Sequence, residues 1–281
     1  MSHGMNSSGS RKWCLCALVA VPLLAMPAAA ADVAAPQPAP LTETQREAVD
    51  LLKGMTEYLA GLKDFSVAFR AGYDVLQPSG QKIEFGETRR VSISRPDRLR
   101  IEEIASDGKR DLILFDGKTI SAFDADGGVY AQVPQPGSVD ESLVYVVRDL
   151  RMRMPLALLL SSNLPHSLPG RVKSIDYVER SEILGVTAHH IAGRAENVDF
   201  QFWIDAGARP LPLRVVITYV NSPGQPQFWA NFAEWNTEAK FAAGTFEFTV
   251  PKDAQKIVFA VQVRRAGEAP RPPAVLEEGQ P

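Results

Sequence analysis

Apolar side chains recur over residues 42–62 at the spacing of one helix face. Ala48, Leu51, Leu52, Met55, Tyr58, Leu59 and Leu62 fall on that stripe, the pattern of a helix laid against a core. Thr42-Glu43-Thr44-Gln45 stands at its start. In such a capping box the threonine hydroxyl serves one free backbone N–H and the glutamine reaches back to another. Gly61 supplies a stop. The stripe reads as core packing rather than as a cofactor site.

The period then changes to two. From Phe65 to Val75 every odd position is apolar or alanine, which predicts a long strand with one buried face. Pro78-Ser79-Gly80 turns the chain, and Ile83, Phe85, Val91 and Ile93 carry the odd row onto a second strand. Arg95-Pro96-Asp97 interrupts it, and Leu99 and Ile101 resume on a third. Asp116-Gly117 and Asp126-Gly127-Gly128 mark two further hairpins, because glycine takes positive φ at low cost. Later strands are expected at Val198–Ile204, Leu211–Tyr219 and Phe228–Trp235, with Phe246 and Phe248 closing the series. This spacing predicts a large antiparallel meander.

The middle breaks the pattern. Ser138-Val139-Asp140-Glu141 is a second capping box, opening a helix through Val144, Val147 and Arg148. Pro155 starts a short apolar helix, Leu156 to Leu160. The expected class is therefore α+β, mainly β: one wide sheet sharing its greasy face with three modest helices. So few helices cannot cover so broad a face unless the sheet curls on itself. A curved half-barrel lidded by helices, with room for a cavity beneath, is the architecture that fits.

Charge and leader narrow the picture. With 30 Lys+Arg against 33 Asp+Glu, there is no basic excess to attract nucleic acid. Residues 1–31 carry no acid; Arg11 and Lys12 precede an apolar run from Trp13 to Ala31. This reads as a secretory signal peptide, cleaved after Ala30 or Ala31. Pro22 and Pro27 count against an uncleaved anchor helix. Both cysteines, Cys14 and Cys16, leave with it, so the mature chain has no disulfide or thiolate metal site. They stand at the start of the apolar run, not at its end where a lipid-attachment cysteine belongs. The expected compartment is a bacterial periplasm. Residues 32–40 read as a flexible lead-in, 41–263 as one domain, and 264–281 as a disordered tail.

Catalytic signals are sparse. His189 and His190 are adjacent on an expected strand, so they point to opposite faces and cannot chelate one ion together. His166 lies in a loop between prolines. No phosphate loop, nucleophile elbow or metal-ligand spacing is present, and no catalytic residue, metal or cofactor is expected. Glu87 and Arg89 continue the odd row of the second strand. A polar patch inside a cavity mouth is one reading; the more ordinary one has the strand past the core edge, in solvent. Trp203, Trp229 and Trp235 lack an interleaved basic stripe and read as core or cavity wall.

A resemblance adds to this. Arg95-Pro96-Asp97-Arg98-Leu99-Arg100-Ile101-Glu102, then Phe115-Asp116-Gly117-Lys118-Thr119, resemble the strand and hairpin steps of the lipoprotein carrier LolA, and Phe246 to Pro251 resembles the end of that domain. The match is closer to an uncharacterised LolA-like family of predicted periplasmic proteins, a domain of unknown function. Leu184 to Ile191, Asp199 to Asp205, Pro210 to Arg214, Val216 to Tyr219 and Phe232 to Asn236 carry it, over about residues 41–260. The resemblance implies a curved antiparallel half-barrel closed by helices, with an apolar cavity that accepts acyl chains. In LolA the arginine of the Arg-Pro step latches the lid, and Arg95 matches it; capping a turn before Pro96 is the plainer role for the same residue.

The function expected is a non-enzymatic periplasmic carrier or binding protein for a hydrophobic small molecule, lipid or acylated molecule. On the assumption that the odd row is concave, Val67, Phe69, Tyr73, Phe85, Val91, Ile93, Leu99 and Ile101 line the pocket. The alternative is a sensor or interaction module of the RseB type, whose partner is a periplasmic or membrane protein.

Overall fold

The computed structural model describes residues 40–183 and 185–259. The expected signal peptide, residues 32–39 of the lead-in, Leu184 and the expected tail lie outside the described residues.

Helix α1, Glu43–Gly61, begins as its capping box requires: the Gln45 amide donates to Thr42 Oγ1 at 3.2 Å, and the Thr42 amide donates to Gln45 Oε1 at 3.1 Å. Its buried stripe is Ala48, Leu52, Met55, Thr56 and Leu59. The strands form one sheet. They are β1 (Asp64–Leu76), β2 (Lys82–Ser94), β3 (Arg98–Ala105), β4 (Arg110–Phe115), β5 (Thr119–Asp124) and β6 (Val129–Pro134), then β7 (Ser174–Ile183), β8 (Val186–Arg194), β9 (Val198–Asp205), β10 (Pro212–Tyr219), β11 (Gln227–Asn236) and β12 (Gln255–Ile257).

Spatial order is β12-β6-β5-β4-β3-β2-β1-β11-β10-β9-β8-β7. Two meanders thus run outward from the β1–β11 seam, and the sheet is the open, curved half-barrel expected. Register breaks at Ala68/Phe69, Pro212/Arg214 and Tyr177/Glu179 help it bend, since a bulge increases local twist. The alternation on β1 holds: Phe65, Val67, Phe69 and Ala71 are all buried.

This order dictates the path of the middle segment. β6 lies next to one edge and β7 is the opposite edge, so residues 135–173 must cross the whole sheet. They do so as α2 (Val139–Val144), a π turn over Tyr145–Asp149, a 3₁₀ turn over Ala157–Leu160 and α3 (Leu164–Ser167). Val139, Leu143, Val146, Leu150, Met154, Leu156, Leu159, Leu160 and Leu164 are buried and join the core cluster that the odd row of β1–β3 supplies. α1 packs on β7 and α3 beside them.

Four details depart from the sequence expectations. Phe246 and Phe248 are not in a strand; they belong to an irregular segment. There Phe246 meets Phe241 edge-on at 5.0 Å, and Phe248 lies 5.6 Å from Tyr130 and 6.1 Å from Phe123. Ring packing, not ladder pairing, buries these apolar side chains. β12 follows and pairs with β6 in parallel, so the sheet is not antiparallel throughout. β7 was not anticipated, because its bulge at Tyr177/Glu179 breaks the alternation that announces a strand. Finally, Trp203 and Trp229 point away from the buried row, on the outer face. There the Arg214 guanidinium lies 5.5 Å from each ring and His190 stacks on Trp203 at 4.1 Å.

Two glycines test the packing in opposite directions. A Cβ at Gly193 in β8 meets the Phe200 ring and comes 2.9 Å from the Ser174 carbonyl oxygen, and neither can yield freely. Gly193→Ala is expected to destabilise by about 1–3 kcal/mol, as overpacking does. A Cβ at Gly54, inside α1, meets nothing within 4 Å, so Gly54→Ala should stabilise by about 0.5–1 kcal/mol. Urea unfolding of both variants checks the pair.

Candidate functional site

Beneath the crossing segment lies a crevice. The sheet contributes Val67, Phe69, Arg89, Val91, Ile101, Phe232 and Trp235, and the lid contributes Met154, Leu156, Leu159 and Leu160. Its cavity volume is only about 20 Å³, room for one water molecule. The lid leucines occupy the space that an open half-barrel would leave. Of the eight residues expected to line a pocket, Val67, Phe69, Val91 and Ile101 do border this crevice. Ile93 and Leu99 are buried in the same core cluster, outside the crevice wall. Tyr73 and Phe85 stack on each other at 6.1 Å near the other end of the β1–β2 hairpin, where Phe85 is 41% exposed. Phe85 is thus a rim residue, because the hairpin outruns β3, whose last residue pairs with Glu87.

Two arginine side chains tie the lid down, each at its own place. Arg95 donates from Nε to the Leu62 carbonyl at the end of α1 (3.0 Å) and from Nη2 to the Leu160 carbonyl at the end of the 3₁₀ turn (2.7 Å). Its Nη1 lies 3.6 Å from Asp140. Burial pulls the guanidinium pKa down and Asp140 opposes that shift. Asp140 in turn accepts hydrogen bonds from the amide (2.9 Å) and hydroxyl of Ser162. A planar fork with several donors suits two carbonyls at different angles, which an ammonium would not. The peptide bond Arg95–Pro96 is cis. At the other place Arg153 of the lid sits over the Tyr73 ring at 4.8 Å and hydrogen-bonds the Tyr219 hydroxyl, whose pKa burial raises. Between π turn and 3₁₀ turn, Arg151 has φ 54°, a left-handed conformation that costs a non-glycine residue about 1–2 kcal/mol. Asp140, Ser162 and Arg153 gave no sequence signal, since each acts across distant chain segments.

One polar group interrupts the concave face. Glu87 and Arg89 are not in solvent: their side chains are 6% and 11% exposed. Arg89 pairs through Nε with Glu87 and through Nη2 with Glu103, both at 2.8 Å. The curl of the sheet keeps these positions walled by neighbouring strands beyond the lid's own cover. Burial raises the Glu103 pKa first, Arg89 lowers it, and the charge and hydrogen bond of Glu87 raise it further. Burial likewise raises Asp111, followed by the charge of Glu103. The odd row of β3, Leu99, Ile101 and Glu103, was a legible signal for Glu103, which faces Arg89 across the ladder. His189 and His190 lie elsewhere. His189 Nδ1 is 3.4 Å from the Tyr177 hydroxyl and His190 Nε2 is 3.0 Å from Gln201.

A family model described as a predicted periplasmic protein, DUF2092, matches residues 48–260. The chain belongs to the DUF2092 family. Among solved structures, this DUF2092 chain is similar to an uncharacterized conserved protein from Thermus thermophilus (13% identity, TM-score 0.44, covering 75% of this chain and 99% of that one). It is also similar to the lipoprotein LppX of Mycobacterium tuberculosis (14%, 0.44, 69% and 98%). A third is MucB in the Pseudomonas aeruginosa MucA/MucB complex (19%, 0.39, 72% and 61%); the chain spans about three fifths of that MucB. No curated protein matches the sequence.

Glu103 makes stability depend on pH with a definite sign. Its folded pKa lies above the unfolded one, so the folded state holds the proton more tightly. The associated stability is full below the unfolded pKa and is lost as pH rises through the folded one. Comparing melting temperatures of wild type and Glu103→Gln from pH 8 down to pH 4, the difference should move in favour of wild type on acidification.

Proposed function

We propose that the chain is exported through a cleavable leader, residues 1–30 or 1–31, and binds an apolar guest, a lipid or acylated molecule, without chemical turnover. One domain, residues 41–263, carries this role. The observation that supports it best is the composition of the lid contact. An apolar concave face is covered by an apolar segment, while the identifiable polar ties lie at its ends, through Arg95 and Arg153. An alkyl chain taking the place of Leu156, Leu159 and Leu160 exchanges one apolar contact for another. The net cost is that of releasing the ties.

Magnitudes set the kind of guest. The two hydrogen bonds from Arg95 are charge-assisted and contribute about 1.5–3 kcal/mol each. A methylene leaving water contributes about 0.8 kcal/mol. Roughly four to eight methylenes therefore offset the release of Arg95, and short acids or small polar solutes do not suffice. The lining residues proposed are Val67, Phe69, Val91 and Ile101, with Ile93 and Leu99 behind them and Tyr73 and Phe85 at the rim. Arg95 is the latch.

An interaction module of the RseB type would use a free sheet edge. β7 supplies one, yet it carries exposed Glu179, Arg180 and Glu182, charges of the kind that keep an edge unpaired. The guest reading is preferred.

Uptake of the neutral fluorophore N-phenyl-1-naphthylamine tests it, together with lipid extraction and native mass spectrometry of protein taken from its own periplasm. Wild type should bind the probe slowly. Arg95→Ala should bind it several-fold faster and melt roughly 5–10 °C lower. No probe binding by either protein and no co-purified amphiphile would defeat the proposal; a single stoichiometric protein partner in their place would favour the interaction module.

A further inference from the structure

The concave face changes character along two adjacent strands. On β2 the inward row runs Ile93, Val91, Arg89, Glu87; on β3 it runs Leu99, Ile101, Glu103. The first members are apolar and buried, and the next step on each strand is charged. Arg89 belongs to both regions. It forms part of the crevice wall beside Val91, Ile101 and Met154, and it contacts both carboxylates at 2.8 Å. Glu103 is 26% exposed at its side chain, so the charged group reaches water while its neighbour wall does not. That is the layout required by a tail buried in the crevice and a head at its mouth.

The charge count says which head. Two carboxylates face one guanidinium, and Asp111 on β4 stands opposite Glu103 as a third acid. Asp124 and Asp126 add negative charge toward Asp111. Both ion pairs of Arg89 are already in use, so an incoming carboxylate or phosphate would have to displace Glu87 or Glu103 and then face it. A cation meets the opposite situation, because Glu87 and Glu103 have one positive partner between them. We propose that Glu87, Arg89 and Glu103 form the head-group end of the guest site and select an amphiphile with a positively charged amine head. This rests on the guest-binding function proposed above and names the class of guest. Burial first, opposed by the charge of Arg89, and then the neighbouring Glu87 hold the Glu103 pKa above the usual carboxylate range, in keeping with carboxylates short of positive partners.

Displacement of N-phenyl-1-naphthylamine at pH 7.5 by dodecylamine, dodecanoate and dodecan-1-ol, each below its micellar concentration, tests the assignment. The three share a tail and differ in head charge. Dodecylamine should displace the probe at about tenfold lower concentration than dodecanoate, with the alcohol between them. Glu103→Gln should bring the amine-to-alcohol ratio close to one; Glu87→Gln provides the same reading should the first variant fold poorly. A dodecanoate affinity equal to or above that of dodecylamine would overturn the inference, as would an amine preference intact in both variants. If the alcohol binds and head charge has no effect, this inference alone falls. If none of the three binds, the guest-binding function falls with it.

Discussion

The burial of a broad concave β face by a single crossing segment is the contact on which the rest of this structure depends. The twelve strands among the described residues form one sheet and present more apolar surface than their own side chains can cover. The chain leaves β6 beside one edge and must restart at the other. Its shortest covered route lies over that face, and the leucines and methionine of residues 150–164 fill it. Connectivity, curvature and core are thus one arrangement. A flat sheet would leave the crossing segment with no hollow to fill, and a shorter crossing would leave the hollow wet.

On the proposed function, a plug of this kind has to be stable and replaceable at once. Close packing gives it most of its energy, but apolar contact is not directional, and an alkyl chain of similar shape makes nearly the same contact. Directional bonds are concentrated at the ends: Arg95 with Leu62, Leu160 and Asp140, and Arg153 with Tyr73 and Tyr219. The left-handed backbone at Arg151 places a small strain within the same segment. On the proposed function, the energetics of opening reside in a few polar contacts, while the energetics of occupancy reside in area. The buried Glu87–Arg89–Glu103 group adds direction to an otherwise featureless wall.

Much of this was legible in the residues. Helix α1 and helix α2 announce themselves through complete capping boxes at Thr42 and Ser138, and β1 through an unbroken alternation. The need for curvature followed from the shortage of helix. What misled were local cues with distant explanations. Phe246 and Phe248 have strand-like spacing, yet Phe248 packs on rings of β5 and β6 instead of joining a ladder. Glu87 and Arg89 look like a strand leaving the core, since nothing local shows that Glu103 stands opposite at ion-pair distance. Trp203 and Trp229 look like core, but a cation between them serves the outer face instead.

By itself the sequence determined where elements start and stop and which side of each is greasy, because capping, turn geometry and periodicity act over a few neighbouring residues. It also identified Arg95 as a residue of interest, through a resemblance carried by contiguous motifs. Tertiary structure decided what lies across from what: which carbonyls Arg95 reaches, whether the hollow is filled, and that one guanidinium faces two carboxylates. Most of those contacts join residues on different chain segments, Arg95 to Leu62 and Leu160 and Arg89 to Glu103. Their energies depend on distance and on exclusion of water, and neither exists until the sheet has closed around them.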